Sequence, residues 1–357
     1  MFKNYTFDLK SDKHSFDIDN LDLAIVNSIR RIILTEIPVI GFYGEDEPTI
    51  DIITNTGPLH NEFMKHRIGL IPINVSETIT NIYQDNDYKF ELNVINNGST
   101  SLNITTADFT GTYKNVDLTK KELNELFPQN PITKEYILIT RLRPTEELHL
   151  IATAIKKTAK TNASFSAVSL ANFYFIEDPL ENIKADNVLD KHRAYVKNKY
   201  GDPTLLKFEI ESVNKLSYKY LFSTAINILI NKLKLLITNI ENNEIVLEPV
   251  PNNSFSINFH IDNEDDTLGN VIQSILHNKY IRENNKHKGI VCSYIGYICP
   301  HPLKQLMILR ITLEEQTNDK KFKQFLTDNS YDIIRYLEEI NNEWLKFTKT
   351  NSTKKNS

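Results

Sequence analysis

Apolar residues fall at helical spacing in four stretches of the chain. Between residues 20 and 37, Leu21, Ile25, Ile29, Ile32 and Ile33 recur at i, i+3, i+4 and i+7, flanked by Val26 and Leu34, which predicts a helix with one buried face. Asp19 or Asn20 can cap it, and Pro38 stops it. The strongest stripe spans 217–241, with Leu221, Phe222, Ala225, Ile226, Leu229, Leu233, Leu236 and Ile240 on one side. A third, 267–278, carries Leu268, Val271, Ile272, Ile275 and Leu276. The fourth, 319–347, is marked by Phe322, Phe325, Leu326, Ile333, Leu337, Ile340 and Trp344. Alternation at 5–19, 204–213, 254–261, 291–298 and 306–312 predicts strands. Residues 39–200 differ: short strand-like runs at 89–94, 136–142, 149–155 and 171–176 alternate with turns, with a modest helix at 60–69. The polar stretch 180–203 reads as a connection, and 242–253, with two prolines and flanking Asn pairs, as a linker.

The order is therefore strand, short helix, inserted β domain, strand, long helix; then strand, short helix, strands, long helix. Apart from the insertion the second half repeats the first, with Asn27 matching Asn270, each in a short helix after an acidic turn. A stripe of eight large side chains cannot stay in water. At roughly 1.5–3 kcal/mol for each side chain, exposing it would cost more than a typical net stability. Each long helix could pack only on its own sheet. The pattern favours the other solution, in which the halves face each other as a pseudo-dimer, with Ile25, Ile29, Leu229, Leu233, Leu236, Leu268, Ile272, Leu337 and Trp344 in one shared core. The fold class expected is α+β. The expected domains are 1–48 with 204–241 as the first half, 49–203 as the insert, 242–253 as linker, 254–347 as the second half and 348–357 as a disordered tail.

Composition narrows the function. The 357 residues are 40% hydrophobic and 24% charged, which is globular usage. Net charge is −5, from 41 basic and 46 acidic residues, which disfavours a nucleic-acid-covering surface. The only notable basic clusters, Lys286-His287-Lys288 and Lys354-Lys355, are too small to neutralise many phosphates. No apolar run approaches the ~20 residues that cross a bilayer, and the first residues do not read as a secretory signal, so a membrane partner is not expected. Two cysteines, Cys292 and Cys299, make no disulfide framework and favour an intracellular setting.

Candidate chemistry is sparse. Cys292, Cys299 and His301 lack the close pairs of a structural zinc site and read as core thiols with a neighbour. His60 and His66 are six residues apart, about 240° round a helix, and point apart; Glu62 and His66 could pair. Asp262, Glu264, Asp265 and Asp266 could hold magnesium. Asp17, Asp19 and Asp22 stand at the same place in the first half, and the repetition favours helix capping instead. Arg31 lies about 200° round its helix from Ile29, away from the apolar face. No Ser-His-Asp, Cys-His or paired-carboxylate constellation has a persuasive context, so no catalytic residue is assigned.

Two segments carry a family resemblance. DLAIVNSIRRIILTEIP (22–38) with HNEFMKHRIGLIPI (60–73) resembles the third-largest subunit of eukaryotic RNA polymerase II and its archaeal relative. Residues 149–179 are similar to that family's insert domain and 205–213 to its returning strand. INFHIDNEDDTLGNVIQSIL (257–276) and CPHPLKQLMILRI (299–311) resemble the eleventh subunit. Both families belong with the bacterial α-subunit N-terminal domain, a dimerising module. The resemblance implies a non-catalytic assembly platform of a DNA-directed RNA polymerase, on which the two largest subunits are nucleated. It implies that Arg30 and Arg31 meet the second-largest subunit, where a planar guanidinium fork suits carboxylates. The eleventh-like half would meet the largest subunit, and small subunits resembling the tenth would dock on the first half. His66, Arg67, Gly69, Leu70 and Pro72 would pack the insert against the dimerising core. The family's four-cysteine zinc loop is missing from 74–87, so no cofactor is expected, and magnesium would belong to the partners. A fused chain resembles the arrangement in large cytoplasmic DNA viruses. The setting would then be the host cytoplasm and the packaged virion, with the nucleus possible. The competing functions are a stand-alone dimeric interaction module and a metal-dependent enzyme using the acidic turns.

Overall fold

The weakly alternating N-terminus forms a hairpin rather than the single strand expected at 5–19. Phe2–Asp8 pairs antiparallel with Lys13–Asp19, and the chain reverses at Asp12, whose φ of 53° is the left-handed value that Asp tolerates. The computed structural model describes residues 1–9, 11–45, 49–251, 253–315 and 318–353. Two compact units divide these residues. One contains 1–33, 171–210 and the chain from 221 onward; the other contains 34–170 with 211–220.

The first unit holds two four-stranded sheets with one topology. The first sheet has the spatial order Phe2–Asp8, Lys13–Asp19, Leu205–Ser212, Val168–Phe175. The second has Val246–Val250, Asn253–Asp262, Leu306–Leu313, Cys292–Ile298, all neighbours antiparallel. Numbered along the chain, both are 1-2-4-3. In each, a short helix follows the second strand (Leu23–Thr35, Asp266–Leu276) and a long helix follows the fourth (Tyr218–Glu241, Asp319–Thr353). The second short helix continues as a π-helical segment, His277–Arg282. The fold is α+β, and the internal repeat extends to every one of these elements.

Four expected boundaries are corrected by the structure. The proposed linker 242–253 contains the first strand of the second sheet, Val246–Val250. Pro249 is tolerated there because the strand lies at the sheet edge, where a missing N–H costs no ladder bond. Only 242–245 separate helix from strand. The insert does not run to 203: Val168–Phe175 is a strand of the first sheet, and 171–203 belong with the pairing unit. Nor does it begin at 49, since Val39–Gly41 pairs with Ile155–Lys157 inside the second unit. The 348–357 tail is helical through Thr353, because Thr348 continues the buried stripe one turn past Trp344. Residues 354–357, including Lys354-Lys355, lie outside the described residues, as do 46–48 and 252.

Tyr218–Glu241 is 24 residues with a mean hydropathy of 1.4 in its most apolar window, long and apolar enough to cross a bilayer by composition, contrary to the reading that no run approaches that length. Half of that window is buried within the protein. Leu221, Phe222, Ala225, Ile226, Leu229 and Leu233 are wholly enclosed, so this stripe is a core face.

The second unit is built on a five-stranded sheet in the order Ile50–Asn55, Glu147–Thr153, Tyr88–Ile95, Thr110–Tyr113, Val116–Asp117. A separate ribbon joins Leu102–Thr105 to Leu138–Leu142. Its core gathers Phe42, Phe90, Phe109 and Phe127, with ring centroids 5.1–6.5 Å apart, beside Met64 and Ile68 of the helix Asn61–Gly69. Gly44 lets the chain pass close to that helix: a Cβ there would lie 2.6 Å from the Lys65 carbonyl oxygen.

Candidate interaction surface at the paired short helices

The two short helices begin the same way, down to individual bonds. Asn20 and Asn263 precede them in the left-handed conformation, at φ 57° and 60°. Each donates its N–H, at 2.8 Å, to the carbonyl just before the fourth strand, Thr204 or Gln305. Asp22 and Asp265 then cap the helices, accepting from the N–H of Ala24 and Thr267 at 2.8 Å each. A capping carboxylate opposes the positive end of the helix dipole. Residues 16–31 therefore superpose in role on 259–274, and Asn27 falls on Asn270.

The caps also join the halves, and they do so reciprocally. Ser274 donates to both oxygens of Asp22 at 2.9 and 3.0 Å, and Asn278 donates to Oδ2 at 3.0 Å. On the other side the Arg31 guanidinium lies 3.8 Å from Asp265, and its Nε donates to Thr267 Oγ1 at 3.0 Å. Arg31 and Ser274 are equivalent positions, as are Asp22 and Asp265. Position 31 reaching 265 while 274 reaches 22 is the signature of an isologous, approximately twofold interface. Buried Ser28 adds a 2.7 Å bond to the Thr267 carbonyl.

The long helices close the interface. Trp344 of the second is fully enclosed, with ring centroids 4.3 Å from Phe222, 4.7 Å from Phe16 and 5.1 Å from Phe2, all first-half residues. Ser223 donates to Asn341 Oδ1 at 2.8 Å. Lys232 pairs with Glu264 at 3.1 Å with both side chains nearly buried. Ile25, Ile29, Leu229, Leu233, Leu236, Leu268, Ile272, Leu337 and Trp344 are all buried in this unit.

Arg31 is not an unengaged cation on a solvated face, because its helix wheel omits the opposite half that receives it. Arg30 donates to Asn27 Oδ1 at 3.0 Å, and burial, with the Arg31 charge, lowers its guanidinium from the ordinary value. A polar cavity of about 730 Å³ opens between the short helices, with Asn27 and Asn270 both on its wall beside Asp22, Gln273, His277 and Arg282.

Within the second unit the residues of the 66–72 segment differ in their surroundings. His66 is exposed, 4.0 Å from Glu45 rather than paired with Glu62, and Leu70 is 71% exposed because it caps the helix and points outward. Arg67 is anchored, donating to the Ile139 carbonyl at 2.9 Å and the Leu138 carbonyl at 2.8 Å. Buried Gly69 sits with Pro72 half-buried, while Ile68, Ile71 and Ile73 supply the core contacts.

Burial pushes the Cys292 thiol to about 12 and, with Asp266 nearby, the Cys299 thiol to about 11. Among the described residues no three His, Cys, Asp or Glu side chains gather into a group that could hold a metal. His287 and Lys288 both bind Asp328, at 3.0 and 2.6 Å, so their part of the basic cluster is internally neutralised.

Comparison with known proteins agrees with this architecture. The RNA polymerase Rpb3/Rpb11 dimerisation domain matches residues 15–233, and a second form of the same domain matches 256–343. The chain is 27% identical over 197 residues to the human DNA-directed RNA polymerases I and III subunit RPAC1, covering 49% of this chain and 56% of that one. It is 25% identical over 194 residues to subunit 3 of DNA-directed RNA polymerases II, IV and V of Arabidopsis thaliana, covering 49% and 57%. Against the DNA-directed RNA polymerase II subunit RPB3 of Schizosaccharomyces pombe it is 25% identical over 260 residues, covering 63% and 83%. The chain spans little more than half the length of the human and Arabidopsis relatives. Two matches to one domain, coinciding with two halves of one topology, lead to one conclusion: the chain belongs to the RNA polymerase Rpb3/Rpb11 dimerisation-domain family.

Proposed function

We propose that this chain is a non-catalytic assembly-platform subunit of a multisubunit DNA-directed RNA polymerase. The observation that carries the reading is the reciprocal cap contact, Asp22 with Ser274 and Arg31 with Asp265, which joins two dimerisation domains of a polymerase family inside one chain. Its relatives bear the names of polymerase subunits. The acidic turns support it too: Asp22 and Asp265 are engaged as helix caps and as cross-half acceptors. The magnesium chemistry then belongs to partner subunits, and the chain carries no metal of its own.

The partners in this reading are the largest and second-largest subunits, with small subunits resembling the tenth on the first half. Little of the surface would touch nucleic acid. Arg30, half-buried beside a second guanidinium, would gain from a partner carboxylate. The fused arrangement fits an intracellular setting, and in particular a large DNA virus whose polymerase works in the host cytoplasm and is packaged. Affinity isolation of the tagged chain from cells that make it, followed by mass spectrometry, tests the proposal. Two chains above 100 kDa should come down in equal amounts with it. Recovery of the chain alone or with a second copy refutes it and favours a stand-alone interaction module; specific magnesium uptake in a calorimetric titration favours the metal-dependent enzyme. Arg30→Glu should abolish recovery of the second-largest subunit while the chain stays folded. Arg31→Glu is the poorer test, since it places a carboxylate beside Asp265 within the chain.

A further inference from the structure

The pairing surfaces are equivalent but not identical, and among their charged differences one is nearly buried and paired across the halves. Residue 264 corresponds to residue 21, so a paired glutamate in the second half stands where the first half buries Leu21. The long helices can be aligned in the same way. Their buried positions coincide at Leu221 and Phe325, Leu229 and Ile333, Leu233 and Leu337, and Ile240 and Trp344. Lys232 then corresponds to Tyr336. Tyr336 is half-buried, and its hydroxyl is raised by burial and then by the charge of Asp22, the neighbour of Leu21, as the alignment requires. One side of the pseudo-twofold thus joins Lys232 to Glu264, and on the other the alignment matches that pair with Tyr336 and Leu21.

We propose that the Lys232–Glu264 pair is a heterotypic lock, making each half a partner for the unlike half and a poor partner for a copy of itself. If two first halves paired, Lys232 would meet Leu21 and lose its carboxylate. If two second halves paired, Glu264 would meet Tyr336 and lose its ammonium. An isologous pair carries the defect twice. Breaking a buried ion pair from one side is strongly unfavourable, so each defect disfavours like pairing by roughly 100-fold or more. The reciprocal caps do not discriminate, since Arg31 or Ser274 would find an aspartate in either arrangement. Fusion alone does not discriminate either, because at high concentration one chain can pair with another. The lock rests on the pairing of the halves and not on the polymerase reading.

The test uses the full chain, refolded from urea over a range of concentrations and sized by chromatography with light scattering. Wild type and K232E/E264K, which preserves the pair in reverse, should both refold as monomers. K232L/E264L should keep its thermal midpoint within a few degrees, since apolar replacement of a buried pair is often neutral. It should nonetheless yield at least tenfold more dimer. Clean monomer from K232L/E264L, equal to wild type, overturns the proposal. Should that variant fail to fold, K232E compared with K232E/E264K decides: restoration of the monomer by the second substitution supports the lock, and failure to restore it sinks the idea.

Discussion

Trp344→Ala removes the largest side chain that one half inserts into the other. The indole is fully enclosed against Phe2, Phe16 and Phe222, with Phe347 of its own helix 5.7 Å away. A buried Trp removes roughly 200 Å² from water, which at about 25 cal/mol per Å² is about 5 kcal/mol of transfer energy. Measured truncations of this kind cost about 3–5 kcal/mol, and lost aromatic contacts add about 0.5–1.5 kcal/mol each. A loss of about 4 kcal/mol is therefore expected, a large part of the 5–15 kcal/mol typical of a folded domain. Urea unfolding followed by circular dichroism measures it. The location of the loss matters more than its size. Because three of the four rings belong to the first half, hydrogen exchange should quicken in Lys13–Asp19 and Tyr218–Glu241 as well as in Asp319–Thr353. Faster exchange confined to Asp319–Thr353 would refute the shared core, as would a loss below about 1 kcal/mol.

Other perturbations probe other parts of the structure. Asp22→Ala removes a helix cap and the acceptor of Ser274 and Asn278; a loss of about 2 kcal/mol is expected in urea melts, against about 1 for a cap alone. Gly44→Ala sets a methyl 2.6 Å from a backbone oxygen, so thermal melts should show a loss of about 1–3 kcal/mol, with exchange quickened in Asn61–Gly69. Asp328 and Asp332 give a pH test. Burial raises both carboxyls, but bonds from Lys288, His287 and Gln324 to the first, and from Lys279 and Arg335 to the second, outweigh it and hold them below the ordinary value. Their contribution is present above the unfolded value of about 3.9 and is lost as pH falls through the lower folded values, so wild-type melting should drop more steeply below pH 4 than that of D328N/D332N.

What the sequence made legible was local. Periodicity found the two short and two long helices of the pairing halves, and the repeated acidic turn pointed to carboxylate caps, although the first helix is capped by Asp22 and not by Asp19 or Asn20. Several of the misses depended on surroundings that a segment acquires only in the fold. Val168–Phe175 alternates like any strand, and only its neighbour Leu205–Ser212, more than thirty residues on, decides which sheet it joins. Pro249 demoted a strand that edge position permits. Arg31 pointed away from its own helix's stripe, which is where the opposite half stands.

A signal for several of these was nonetheless in the sequence, in the strictness of the repeat. Phe16 and Phe259, Ile18 and Ile261, Asn20 and Asn263, Asp22 and Asp265 keep one spacing without a gap, and the first two pairs are buried. Carried backward through the second half, that register calls for a strand before Asn253–Asp262, where a linker was assigned. Carried through the first, it calls for two strands after the insert rather than one. Symmetry in a fused pair is thus a constraint on boundaries as well as on pairing. The positions that break it are equally informative: Glu264 at the place of Leu21 is costly unless the opposite helix supplies a cation, and the cation is there in Lys232.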